Sequence, residues 1–161
     1  MNDVKRDPDP VGRFVERFGL LLTDAGMPRM PSRVFAALLV TEGGRGTAAE
    51  LGRTLSVSPA AISGAVRYLE HVQMVHRARD PGERRDHYEV SEDLWYEVYA
   101  NRDKQFEQWA NLMSDGVDAV GGDSRAGARL DRTRRFFEFL RAELPLLMEK
   151  WRAQDGGPGN R

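Results

Sequence analysis

Apolar positions along this chain fall mostly at helical spacing, interrupted once by a short stretch that alternates like a pair of strands. Val11, Phe14, Val15, Phe18, Leu21, Leu22 and Ala25 predict an amphipathic helix over residues 11–25, ended by Gly26. Pro28 and Pro31 mark a connection, and Val34, Phe35, Leu38 and Leu39 turn inward on a second helix from about Ser32 to Thr41. Gly43-Gly44-Arg45-Gly46 then forces a bend and is placed to supply a short third strand. Thr47 with Glu50 spells a capping box, opening a helix to Leu55 that buries Ala48, Leu51 and Leu55. Ser56-Val57-Ser58-Pro59 is a tight turn in which Ser58 caps the next helix and Pro59 takes its first position, where no backbone donor is needed. That helix runs to about His71, with Ile62, Val66 and Leu69 inward. Two strands follow, joined through Asp80-Pro81-Gly82.

Beyond the hairpin, a long helix is predicted from about Glu92 to past Met113, striped by Trp95, Val98, Tyr99, Phe106, Trp109, Met113 and Val117. Gly121-Gly122-Asp123-Ser124 breaks it. A last helix, about Ala128 to Trp151, sets Leu130, Thr133, Phe137, Leu140, Leu144, Leu147 and Trp151 at heptad steps, the pattern of a helix–helix seam, with a kink at Pro145. The fold class is therefore mainly α with a small β-hairpin wing: a winged helix-turn-helix core flanked by N- and C-terminal dimerisation helices. Residues 11–152 read as a single unit, divided into an N-terminal helix (11–27), the winged helix-turn-helix (30–91) and a helical dimerisation region (92–152). Residues 1–10 and 153–161 read as flexible tails.

Composition narrows the function. A formal charge of −1 over 161 residues looks unsuited to nucleic acid, but residues 29–87 carry 9 basic and 6 acidic side chains while residues 88–161 carry 11 and 14. A locally basic middle suits a chain that touches phosphate through one surface. The absence of cysteine excludes disulfides, thiol nucleophiles and cysteine metal sites. No apolar run reaches the roughly 20 residues that span a bilayer, and the opening is polar and acidic, so a soluble, cytoplasmic protein without membrane contact is expected.

The chemistry concentrates on two elements. The outward face of the second helix of the pair, Ala60, Ala61, Ser63, Gly64 and Arg67, is small apart from one long donor, and small residues let a backbone approach a ligand closely. With Ser58 and Pro59 at its start, this face is sized for a DNA major groove. The wing adds Arg79, Arg84 and Arg85 around the turn. Arginine suits a narrow minor groove, where negative potential is focused, although a solvated hairpin whose arginines pair with Glu83 and Asp86 is the plain alternative.

Asp80-Pro81-x-x-Arg84-Arg85 followed by Tyr88-x-Val90-Ser91, behind such a helix pair, resembles the MarR family of winged-helix regulators. The opening, Phe14 to Gly26 and then Met30 to Leu39, resembles its GbsR-like branch. The resemblance covers about residues 11–152. It implies a homodimer built from terminal helices, here through Phe14, Phe18, Phe137, Leu140, Leu144, Leu147 and Trp151, on an inverted-repeat operator in double-stranded DNA, usually as a repressor. It also implies that Asp80 braces the wing with Arg84 or Arg85 while one arginine enters the minor groove. A small-molecule effector fits the family, osmolyte-linked in the GbsR-like branch, but its identity is unknown from the residues. Trp95, Trp109, Phe14 and Phe18 are candidates to line a pocket, and Trp95, Tyr96, Tyr99 and Trp109 offer rings for a cationic ligand.

His71, His76 and His87 gather near the wing, but no carboxylate or cysteine is placed to complete a metal site, so no metal or cofactor is assigned. No phosphate-binding glycine loop, telling carboxylate pair or nucleophile–base arrangement appears, and Gly43-Gly44-Arg45-Gly46 lacks the lysine of a P-loop. An enzyme is not expected. The alternative from another class is a winged helix used for protein contacts without DNA.

Overall fold

The computed structural model describes residues 9–91 and 94–155, the side chains of 95–97, 99–101 and 155 excepted. In chain order its elements are α1 (Pro10–Asp24), α2 (Arg29–Leu39), β1 (Arg45–Thr47), α3 (Ala48–Leu55), α4 (Pro59–His71), β2 (Val75–Ala78), β3 (His87–Val90), α5 (Leu94–Val120) and α6 (Arg125–Asp155). They form two compact units that divide between Leu94 and Trp95.

In the first unit Phe35, Leu38, Leu51, Ile62, Val66 and Leu69 are almost fully buried, so α2, α3 and α4 meet in one core. Burying each large side chain of this kind contributes about 1.5–3 kcal/mol. Arg33 ties three helices together, bonding Glu16 of α1 and donating to the Leu55 carbonyl at 3.2 Å at the end of α3. Helix α2 begins earlier than its apolar pattern suggests, with Pro28 as N-cap, so Pro31 lies inside the first turn. Proline is tolerated there because the first four N–H groups of a helix have no internal partner.

The sheet order is β1-β3-β2, antiparallel throughout, with Arg45 opposite Glu89 and Thr47 opposite His87. The anticipated third strand is present. Between β2 and β3, Glu83 N donates to Asp80 O at 3.0 Å, and Gly82 takes φ +85 behind Pro81. That is a type II turn, which needs a positive φ at its third residue.

The turn between α3 and α4 folds back on Gly52. Val57 N donates to Gly52 O at 2.9 Å, and a Cβ at Gly52 would lie 2.9 Å from the Val57 carbonyl oxygen. Gly52→Ala is therefore expected to cost about 1–3 kcal/mol, as overpacking does. A lower urea midpoint at unchanged slope would show it, whereas an unchanged midpoint would mean that the turn yields freely.

In the second unit α5 and α6 form a helical hairpin. The Phe137 ring lies 5.7 Å from that of Phe106 and 5.1 Å from that of Trp109, and Arg141 of α6 reaches Asp103 and Glu107 of α5 at 3.1 Å each. Ser124 caps α6, accepting from Gly127 N at 2.9 Å, so the helix starts before the first heptad residue. It continues through Pro145 to Asp155, past the anticipated end at about Trp151. Among the described residues no helix is long and apolar enough to cross a membrane.

Candidate nucleic-acid interface

Helix α4 is built as its sequence dictates. Ser58 Oγ accepts from Ala61 N at 3.2 Å, Pro59 occupies the first turn, and Ile62, Ala65, Val66 and Leu69 face the core. Pro59, Ala60, Gly64 and Arg67 are exposed, with Ser63 half-buried beside them. Nothing lies within 4 Å of where a Gly64 Cβ would sit. A glycine in a helix interior costs about 0.5–1 kcal/mol relative to alanine, and no packing among the described residues requires one. Arg67 lies back along its own helix, its Nε donating to the Ser63 carbonyl at 3.3 Å, and Ser63 Oγ donates to Pro59 O at 3.1 Å.

The wing presents its arginines unequally. Arg79 is held by Asp86 at 2.6 Å, and Asp86 also faces Arg77 at 3.7 Å. Arg84 and Arg85 are exposed and, among the described residues, have no hydrogen-bond or ion-pair partner. Asp86 is thus taken by Arg79 and Arg77 rather than by the tip arginines.

Asp80 does meet an arginine, but a different one. Its partner is Arg45 of β1, at 2.5 Å, rather than Arg84 or Arg85. The type II turn separates Asp80 from the tip residues, while β1, paired alongside β3, brings Arg45 to the root of the wing. The hydrogen bond from Arg45 holds the Asp80 carboxyl below the usual carboxylate range and raises the guanidinium.

Arg53, absent from the sequence-based candidates, joins the two elements. It is exposed on the last turn of α3 and lines two clefts. One, of about 410 Å³, lies between α3 and the wing tip and is bounded by Thr47, Glu50, Arg84 and Arg85. The other, of about 480 Å³, borders Ser56, Val57, Ser58 and Pro59 at the start of α4. Glu50, the one α3 carboxylate in the first cleft, is occupied by the cap. Hydrogen bonds from the Thr47 backbone and side chain hold its carboxyl low.

Comparison with known proteins bears on the fold. The model of the MarR family matches residues 25–86, and one described as an MmpR5-like MarR family transcriptional regulator matches residues 93–154. Models of MarR-family regulators thus match both the winged core and the helices that follow it. The crystal structure of a transcriptional regulator resembles it with a TM-score of 0.77 at 21% identity, covering 88% of this chain and 97% of its own. The adhesin competence repressor AdcR of Streptococcus pyogenes is similar at TM-score 0.39 and 17% identity, over 78% and 89% of the two chains. A MarR family regulator from Neisseria meningitidis gives 0.38 and 20%, over 96% and 99%. No curated protein matches in sequence.

The helices outside the winged core carry the remaining candidates. On α1, Phe14 and Phe18 stack at 5.7 Å, and Val11, Phe14 and Leu21 are exposed along one side. On α6, Phe137 packs against α5, Leu140 and Leu144 are half-buried, and Leu147 and Trp151 are exposed. Phe136, Phe139 and Leu146 are exposed too and were not anticipated. At 100° per residue they centre about a third of a turn from the heptad seam. Of the pocket candidates, Trp109 sits in the cluster with Phe106 and Phe137, while the side chains of Trp95, Tyr96 and Tyr99 lie outside the described residues.

Proposed function

We propose that this chain is a sequence-specific, double-stranded DNA-binding transcriptional regulator that acts as a homodimer, and as a repressor, in the cytoplasm. One observation carries the reading: an open, small-sided helix face and two wing arginines without a partner among the described residues belong to the same compact unit. Helix α4 enters the major groove with Ser58, Pro59, Ala60, Ser63, Gly64 and Arg67, and the wing follows the adjacent minor groove with Arg84 or Arg85. Arg79 supports the tip through Asp86, and Asp80 braces the wing root through Arg45. Arg53 meets the phosphate backbone between them.

The apolar faces of α1 and α6 call for a second copy, which gives the assembly two-fold symmetry and the operator two half-sites about one helical turn apart. A small-molecule effector belongs to the proposal through the family likeness. The GbsR-like likeness rests on Phe14–Leu39 and the MmpR5-like match on residues 93–154. The function proposed draws on what these branches share.

The test is binding to operator fragments selected from genomic DNA, titrated with salt. Arg67→Ala is expected to lose about 1–3 kcal/mol of specific binding, as a bidentate guanine contact would. Arg53→Ala should weaken all sequences alike and lower the log–log salt slope by roughly 0.9 per subunit. No salt-sensitive binding by the unmodified protein would favour a protein-contact module instead.

A further inference from the structure

At the root of the wing three potential cations share two carboxylates. His87 of β3 is buried, at 3% exposure, with its Nε2 2.7 Å from Glu89 Oε1 and 4.0 Å from Asp80 Oδ1. His76 of β2 lies 3.2 Å from the other oxygen of Glu89. Arg45 of β1 spans both acids, at 2.5 Å from Asp80 and 3.4 Å from Glu89. The cluster therefore joins all three strands to the first residue of the wing turn. Further charges surround it: Arg77 on β2 over the Tyr88 ring, Glu83 in the turn and Glu50 on α3.

We propose that protonation of His87, assisted by His76, tightens the contacts already present at this root and strengthens the grip of the wing on DNA, so that the regulator binds more tightly as pH falls from 8 to 6. The proposal rests on the DNA-binding reading and adds its regulation. With both imidazoles neutral, Arg45 faces Asp80 and Glu89, and the cluster carries one net negative charge. A solvent proton on each ring turns this to one net positive charge, beside the arginines that meet phosphate. A buried imidazolium needs a carboxylate in contact, and Glu89 supplies one. Burial pushes the Glu89 carboxyl up, but hydrogen bonds from His87 and His76 and the nearby charges of His87 and Arg45 outweigh it, so it stays ionised as their acceptor. The sign follows: positive charge gained on acidification favours the polyanion.

Two readouts test this, one without DNA. Amide hydrogen exchange of Arg79–Asp86 in the free protein, corrected for intrinsic rates, should show protection rising from pH 8 to 6. Operator affinity at fixed ionic strength should rise several-fold over the same range. His87→Gln should flatten both responses and His76→Gln should reduce them, while His71→Gln, on α4, leaves them unchanged. If His87→Gln misfolds, Glu89→Gln serves, since it keeps a hydrogen-bond acceptor and removes the charge. A pH-independent wing in the unmodified protein, or a full response in both His87→Gln and Glu89→Gln, overturns the proposal. A wing that tightens on acidification in a protein that binds no DNA would support the root mechanism and refute the DNA-binding reading.

Discussion

Replacing Arg84 and Arg85 together by alanine is expected to lower the log–log salt slope of operator binding by about 3–4 units per dimer, at roughly 0.9 for each phosphate no longer neutralised. Between 50 and 200 mM salt the affinity of the variant should then fall about a hundredfold less than that of the unmodified protein. The effect is large because both arginines are exposed and, among the described residues, neither is engaged by an acid of its own chain. Their charge is available to phosphate without first breaking an ion pair. Arg79 differs, since binding through it would compete with Asp86. The fold should survive, because the brace at the wing root runs through Arg45 and Asp80 rather than through the tip. Fluorescence anisotropy across salt, with a thermal melt as control, measures both. A folded double variant with the original affinity and salt slope would remove the wing from the interface.

Phe139→Glu with Leu146→Glu is expected to give a helical monomer whose operator affinity is at least about 10³-fold weaker, the usual gap between specific and non-specific binding. The two residues are 58% and 50% exposed and lie seven residues apart, two turns along one side of α6. Charges there meet water in the single chain but would be buried without partners between two copies. Phe137→Glu should behave differently, because Phe137 packs between Phe106 and Trp109 and its replacement opens the α5–α6 hairpin. Sedimentation velocity at micromolar concentration, beside circular dichroism, separates these outcomes. A double variant that still sediments as a dimer would place the interface elsewhere.

The local parts of the fold were legible because their signals are local. Thr47 and Glu50, Ser58 with Pro59, and Asp80-Pro81-Gly82 each fix a helix start or turn through residues within three positions, and all three appear as expected. The features missed depend on distance or rotation. Arg45 and Asp80 are 35 residues apart and meet only because β1 pairs with β3. The heptad pattern on α6 located an apolar helix, but Phe137 turns towards α5, while Phe136, Phe139 and Leu146 make a second exposed face. Periodicity alone does not say which of two adjacent apolar stripes a neighbouring helix takes. Arg53 reads as an ordinary surface cation on α3 until the turn and the wing tip are placed on either side of it. Its only sequence signal is membership of the basic segment.

Hydroxyl-radical footprinting of the unmodified protein on a selected operator tests the central claim most directly. Two protected patches about one helical turn apart are expected, related by the two-fold axis of the site, each with an adjacent minor-groove protection that disappears in the Arg84→Ala, Arg85→Ala variant. Protection spread evenly along the fragment, or none at protein concentrations where the dimer is intact, would contradict the assignment of α4 and the wing as the DNA-reading surface.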